Sequence, residues 1–118
     1  MAFLMLSSQK SLLTMEKNQL QFQYSCLLNK VQNLKKQESE YAKMQNNLYE
    51  NDGNSETNWD MDNDVLYQAL AKEEENLTID ADTINSQIQI IDGYLSSMKT
   101  MVQNDVKQAT SLNLLGGG

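Results

Sequence analysis

Proline, histidine and arginine are absent from this 118-residue sequence, and cysteine occurs only once. The five glycines are confined to Gly53, Gly93 and residues 116–118. Because proline and glycine are the residues that most oppose a helix, almost nothing in the chain interrupts one. The abundance of Gln, Leu, Lys and Glu completes a composition that predicts a nearly all-helical protein.

The missing histidine and arginine also bear on function. Without them a general base, an oxyanion stabiliser and a nucleophile are hard to bring together, so we expect no enzyme activity, no cofactor and no metal. Cys26 alone excludes an intramolecular disulfide and any multi-cysteine metal site. A single thiol is compatible with a reducing cytoplasm.

Charge is unevenly distributed along the chain. Nine lysines against 16 acidic residues leave a net charge of -7, which repels a phosphate backbone, so nucleic acid is not an expected partner. Residues 1–50 carry six lysines and four acids, whereas residues 51–118 carry three lysines and twelve acids. Two halves folded onto each other would therefore attract.

The apolar run at Met1–Leu6 has no basic residue before it and ends at Ser7. It is too short for a signal-peptide core or a membrane span. We therefore expect a cytoplasmic protein with no membrane span, with export without a cleavable signal as the alternative.

Two heptad patterns dominate the sequence. In the first half, Leu recurs every seven residues from Leu6 to Leu48, with Tyr41 as the one substitution, and in the second half a similar series runs from Leu70 to Leu112. Such repeats predict a coiled-coil seam, in which the series from Leu6 and from Leu70 occupy the d positions and the residues four places after each member occupy the a positions. The seam is expected to comprise Leu13, Leu20, Tyr24, Leu27, Val31, Leu34, Leu77, Ala81, Ile84, Ile88, Ile91, Leu95, Met98 and Val102.

The stretch between the two patterns, residues 51–64, is rich in Asn, Asp, Gly and Ser, which favour turns over continued helix. We therefore predict one all-α domain over residues 1–118. It is a long antiparallel two-helix coiled-coil hairpin with helices at 3–50 and 65–115, a polar loop at 51–64 and a glycine tail at 116–118.

An antiparallel register in which facing residue numbers sum to 115 aligns the two seams. It places Leu13 by Val102, Leu20 by Leu95, Tyr24 by Ile91, Leu27 by Ile88, Val31 by Ile84 and Leu34 by Ala81. The same register puts Lys10 opposite Asp105, a charged pair that would specify alignment more than it stabilises. The alternative is that both side chains extend outward into solvent.

Apolar residues outside the seam form a candidate interaction surface, namely Phe22, Leu28, Ile79, Ile90 and Met101. Docking of a second hairpin or of a larger protein partner would use this surface, and scattered surface residues are the alternative. Trp59, in the polar loop, either anchors a partner or covers the end of the hairpin.

The loop also carries acids at alternate positions, Asp60, Asp62 and Asp64, as at the start of an EF-hand. Val65 stands where that motif needs Gly and Ala71 where it needs Glu, so calcium binding is not expected. Capping of the second helix by Asp62, Asn63 or Asp64 is the better explanation.

The opening Ser8-Gln9-x-x-Leu12-Leu13, followed by Leu20-Gln21-Phe22-Gln23, resembles a group of short, uncharacterised bacterial coiled-coil proteins, whose closing helix is similar to Gln87–Ile91 and Tyr94-Leu95. This resemblance implies a bacterial helical protein and no particular activity. Trp59 in the turn of a hairpin is also similar to the small exported WXG-type proteins, although Met61 stands where that motif has Gly.

These observations lead us to expect a non-enzymatic structural or scaffold protein that acts through helix–helix contacts. Its expected partner is a second copy or a larger protein. The alternative is a secretion-system substrate or export chaperone of the helical-hairpin type.

Overall fold

A computed structural model describes the backbone of residues 2–51 and 58–116, and the side chains of residues 5–50 and 58–108. It consists of helix α1 (Ala2–Asn51), a 3-10 helix (Met61–Asn63) and helix α2 (Val65–Gly116), with no strand in the described ranges. The chain is therefore an all-α helical hairpin, as predicted.

The predicted helix limits agree with these bounds to within one residue at each end. Gly116, assigned to the glycine tail, is the last residue of α2. Residues 52–57 of the predicted loop and residues 117–118 of the predicted tail lie outside the described residues.

The chain divides into two compact units, and both helices contribute to each. Unit 1 comprises residues 1–23 and 84–118, and unit 2 comprises residues 24–83. Each unit therefore contains part of both heptad patterns. Their seams differ in composition and are described separately.

The seam of unit 1 is largely aliphatic. Ile88 and Ile91 are 7% exposed each. Half-buried side chains at seam spacing accompany them: Leu6, Leu13, Lys17, Leu20, Ile84, Asn85, Leu95, Met98 and Val102. Spacings of three and four residues keep these side chains on one face of each helix, which explains why the heptad positions are the ones withdrawn from water.

The seam of unit 2 is more polar. Val31 and Ala81 are its buried residues. The half-buried ones are Tyr24, Leu27, Leu34, Glu38, Tyr41, Ala42, Gln45, Tyr67, Leu70, Ala71, Glu74 and Leu77. A small Ala81 and two carboxylates at seam positions leave less apolar surface to bury here than in unit 1.

Ion pairs correct the predicted register within each unit. In unit 1 the Lys17 Nζ atom lies 2.5 Å from Asp92 Oδ1, and in unit 2 the Lys35 Nζ atom lies 3.8 Å from Glu74 Oε1. The residue numbers of each pair sum to 109, not 115. The nearest register that aligns a with d positions has facing numbers that sum to 108, one heptad or about 10 Å along the helix from the predicted one, so the predicted register is wrong.

The physical reason is that a heptad pattern repeats. Sliding one helix by seven residues again places a beside d positions, so periodicity alone does not distinguish two registers that differ by one heptad. The polar side chains that make specific contacts, Lys17 with Asp92 and Lys35 with Glu74, show which register is adopted.

The proposed register pair is corrected for the same reason. Lys10 and Asp105 are both exposed, and neither takes part in the two ion pairs of the described residues. The other a and d residues from Leu6 to Gln45 and from Tyr67 to Val102 are buried or half-buried. Both side chains therefore extend into solvent, which was the alternative interpretation.

Candidate functional site

Asp64 joins the loop to the start of α2. The 3-10 helix ends at Asn63, and the Asp64 backbone is extended, with φ -80° and ψ 111°. Its carbonyl oxygen accepts the hydrogen bond of Gln68 N–H at 3.0 Å, and its Oδ1 atom accepts that of Tyr67 N–H at 3.0 Å. Asp64 is therefore the N-cap of α2, one of the three caps that the sequence offered.

The same carboxylate holds Trp59 and Tyr41. The Trp59 indole Nε1–H donates to Asp64 Oδ2 at 2.9 Å, and the Tyr41 hydroxyl lies 3.0 Å from Oδ1 and 2.8 Å from Oδ2. Tyr41 and Asp64 are 23 residues apart, so this hydrogen bond joins α1 to the start of α2 within unit 2.

Three aromatic rings pack around the cap. Trp59 stands edge-on to Tyr41, with ring centroids 6.1 Å apart, and to Tyr67, with centroids 5.3 Å apart. Edge-to-face packing of this kind places the positive edge of one ring against the negative face of another. Trp59 is half-buried and its indole N–H is engaged, so the ring packs within the hairpin between Tyr41 of α1 and Tyr67 of α2.

These contacts set the ionisation of the cluster. The hydrogen bond from Tyr67 N–H, then that from Trp59, holds the pKa of Asp64 below its ordinary value of 3.8. The hydrogen bond and charge of Asp64 raise the pKa of Tyr41. A carboxylate that accepts several hydrogen bonds is a weak base, so the cluster is suited to a structural role rather than to proton transfer.

The neighbouring acids do not join Asp64 around a common point. Asp60 Oδ2 accepts a hydrogen bond from the Asn63 side chain at 2.5 Å, and Asp62 is exposed. Within the described side chains, no three His, Cys, Asp or Glu residues lie close enough together to hold a metal ion.

A second polar cluster lies in the seam of unit 2. Burial raises the pKa of Glu38, and the hydrogen bond and charge of Glu74 raise it further, against the lowering effect of Lys35. Among the described residues, Glu38 Oε1 is the side-chain oxygen that is buried without a hydrogen-bond partner. Burial and the neighbouring Glu74 carboxylate therefore both disfavour the charged form of Glu38.

Unit 2 also contains a groove between the two helices. It is open to solvent, has a volume of about 270 Å³ and is lined by Lys30, Asn33, Leu34, Gln37, Glu73 and Leu77. This volume lies below the roughly 300–1,000 Å³ of typical small-molecule sites. The groove is therefore a weak candidate for binding a ligand.

The predicted interaction residues are exposed, apart from Trp59. In unit 2, Leu28 is 38% and Ile79 54% exposed. In unit 1, Phe22 is 71%, Ile90 57% and Met101 49% exposed. The off-seam positions chosen from the sequence are therefore exposed, with Leu28 the least exposed of them, while the Trp59 ring is half-buried.

Unit 1 exposes further apolar side chains that the sequence analysis missed. Met5 is 64%, Leu12 63% and Met15 59% exposed. Together with Phe22 and the uncharged Ser8 and Gln19, they occupy every c and f heptad position of α1 from residue 5 to residue 22. We call these six residues the outer stripe of α1. A search for a second three-four spacing, offset from the seam, would have found it.

Comparison with models of protein families, with curated proteins and with solved structures finds no match to this chain. In residues 2–51 and 58–116, neither helix has a segment long and apolar enough to cross a membrane.

Proposed function

We propose that this chain is a structural assembly protein whose hairpins associate through exposed apolar helix faces. The observation that carries the proposal is the outer stripe of α1, with four large apolar side chains at least 59% exposed in a chain whose own seam already occupies the opposite face. Single exposed apolar residues need no explanation, but a periodic stripe of them favours contact with another helix.

The two polar clusters support this proposal because both are already engaged in contacts within the hairpin. The Asp64 cluster is engaged in capping α2, and the Glu38–Glu74 contact lies within the seam of unit 2. Both clusters therefore serve the hairpin itself. The exposed surface with a regular pattern is apolar, which suits association with another protein.

The experiment is a measurement of solution mass by light scattering on a sizing column, over a series of protein concentrations. Helicity is recorded on the same samples by circular dichroism. We expect a helical species of at least twice the 13.4 kDa chain mass, whose proportion rises with concentration. A helical chain that stays at 13.4 kDa over the whole series would refute self-association.

A further inference from the structure

The outer stripe of α1 has a pattern that pairs with itself. Its apolar members lie at positions 5, 12, 15 and 22, and its polar members at positions 8 and 19. When two such helices run antiparallel and facing residue numbers sum to 27, Met5 faces Phe22 and Leu12 faces Met15. Ser8 then faces Gln19, so apolar meets apolar and polar meets polar throughout.

We propose that the outer stripe of α1 binds the same stripe of a second copy in this antiparallel arrangement, forming a two-fold symmetric dimer. The inference rests on the proposed function and names the partner and the register. A two-fold interface requires that residue i contact residue j while j contacts i, and a register of 27 satisfies this for all six positions. Registers shifted by one heptad place Ser8 against Leu12 or Met15 against Gln19.

Charge favours a second copy as the occupant. Unit 1 contains four lysines and three acids, whereas unit 2 contains five lysines and thirteen acids. Two copies of unit 1 therefore approach without strong repulsion. Lys10 and Lys17 occupy a positions, on the opposite side of α1 from the stripe, and Glu16 faces Ser11 in the register of 27.

The same charges favour the antiparallel orientation. A parallel pair would align every residue of α1 with its own copy, so Glu16, which flanks the stripe, would lie beside Glu16 of the second copy. The antiparallel register avoids this like-charge contact, because Glu16 then faces Ser11.

The area of the stripe is adequate for a reversible dimer. At roughly 150–250 Å² for a large side chain, exposures of 59–71% give on the order of 500 Å² for the four apolar residues. A specific interface buries roughly 800 Å² per partner, and Ser8, Gln19 and flanking side chains supply part of the remainder. We therefore expect a dimer that dissociates on dilution.

The first test compares two methionines of equal exposure. Met15 in the stripe is 59% exposed and Met44 in unit 2 is 58% exposed. We expect Met15→Glu to raise the dimer dissociation constant by roughly 100-fold or more, because it places an unpaired carboxylate in an apolar interface. Met44→Glu should leave the constant unchanged. Leu12→Gln, which adds no charge, provides a milder second variant, and helicity is measured for all three.

The second test identifies which residues of the two stripes face each other in the dimer. In a Cys26→Ser background, chains carrying Ser8→Cys are mixed with tagged chains carrying Gln19→Cys and oxidised gently. The proposed register predicts a mixed disulfide that forms faster than either homodisulfide. These two positions are the polar pair of the stripe, so its four apolar residues are kept.

The outcomes separate this inference from the proposed function. A dimer that Met15→Glu and Leu12→Gln leave intact, or one that gives homodisulfides instead of the mixed product, overturns the stripe or its orientation while self-association stands. A wild-type chain that is monomeric at every concentration overturns both. The inference is supported if Met15→Glu and Leu12→Gln lose the dimer and if the Ser8→Cys and Gln19→Cys chains form the mixed disulfide.

Discussion

The two units of this hairpin follow the same heptad rule and differ in what their seams contain. Unit 1 buries Ile88 and Ile91 and has nearly balanced charge. Unit 2 places Glu38 and Glu74 in its seam, has a large excess of acids and is closed by the hydrogen bonds of Asp64. The difference shows that heptad spacing selects which face is buried, while residue chemistry decides how each part of the chain is held together.

This contrast also separates two kinds of stabilisation. Aliphatic burial is non-directional and tolerates a slide of one helix along the other. Hydrogen bonds and ion pairs have defined geometry and are costly to leave unpaired. We expect unit 1 to contribute buried apolar surface and unit 2 to contribute directional contacts that define the alignment near the loop.

The largest expected effect comes from making the seam of unit 1 polar. Ile88→Asp should lower the free energy of unfolding by about 3–5 kcal/mol, because it removes a packed side chain and buries an unpaired carboxylate. Thermal unfolding followed by circular dichroism measures the change.

Ile90 provides the matched control, since it is the same residue type two positions away and is 57% exposed. Ile90→Asp should leave the melting temperature nearly unchanged. If the two substitutions were equally damaging, or equally harmless, the aliphatic seam of unit 1 would not be where the structure places it.

An intermediate effect is expected from Asp64→Ala in unit 2. The substitution removes the acceptor of the hydrogen bonds from Tyr67 N–H, the Trp59 indole and the Tyr41 hydroxyl. We expect the melting temperature to fall by roughly 5 °C and the fluorescence of Trp59 to shift to longer wavelength as the indole becomes hydrated.

Asp62→Ala is the control for this change, because Asp62 is an exposed acid of the 3-10 helix that directly precedes Asp64. It should alter neither signal. An unshifted Trp59 spectrum in Asp64→Ala would mean that the indole is held by something other than this carboxylate.

The smallest effect concerns the carboxyl pair in the seam of unit 2. The pKa of Glu38 is raised above its ordinary value of 4.5, chiefly by burial. Its contribution to stability is therefore complete below that value and is lost as the pH rises through the folded-state pKa. We expect Glu38→Gln, which stays neutral, to reduce the fall in melting temperature between about pH 4.5 and pH 7.

Asp64 does not obscure this comparison. Its pKa is lowered from 3.8, so its contribution is present above that value and is lost only as the pH falls further. Glu40→Gln serves as the control, since Glu40 is exposed. A pH dependence identical in wild type, Glu38→Gln and Glu40→Gln would contradict the Glu38–Glu74 contact.

Much of the fold could be predicted because helix propensity and heptad spacing are local properties. The absence of proline and the polar stretch after Glu50 were sufficient to predict two long helices and a turn. The heptad positions from Leu13 to Leu34 and from Leu77 to Val102 coincide with side chains that are buried or half-buried in the structure.

The candidate site was harder to predict. Asp64 was one of three possible caps, and nothing local distinguished it from Asp62 or Asn63. The choice depends on Tyr41, 23 residues earlier, which adds a hydrogen bond that only the folded hairpin allows. Apart from Phe22, the outer stripe of α1 was overlooked for a different reason, because its c and f positions lie outside the seam that the heptad pattern marks.

The sequence by itself determined that this chain forms two helices and which face of each is withdrawn from water, since both follow from propensity and periodicity over neighbouring residues. Only the tertiary structure decided the register and the partners of Trp59 and Asp64. A repeating seam offers nearly equivalent alignments, and the choice between them depends on directional contacts such as Lys17 with Asp92 and Tyr41 with Asp64. Those contacts join residues that are distant in sequence and exist only once the helices have packed.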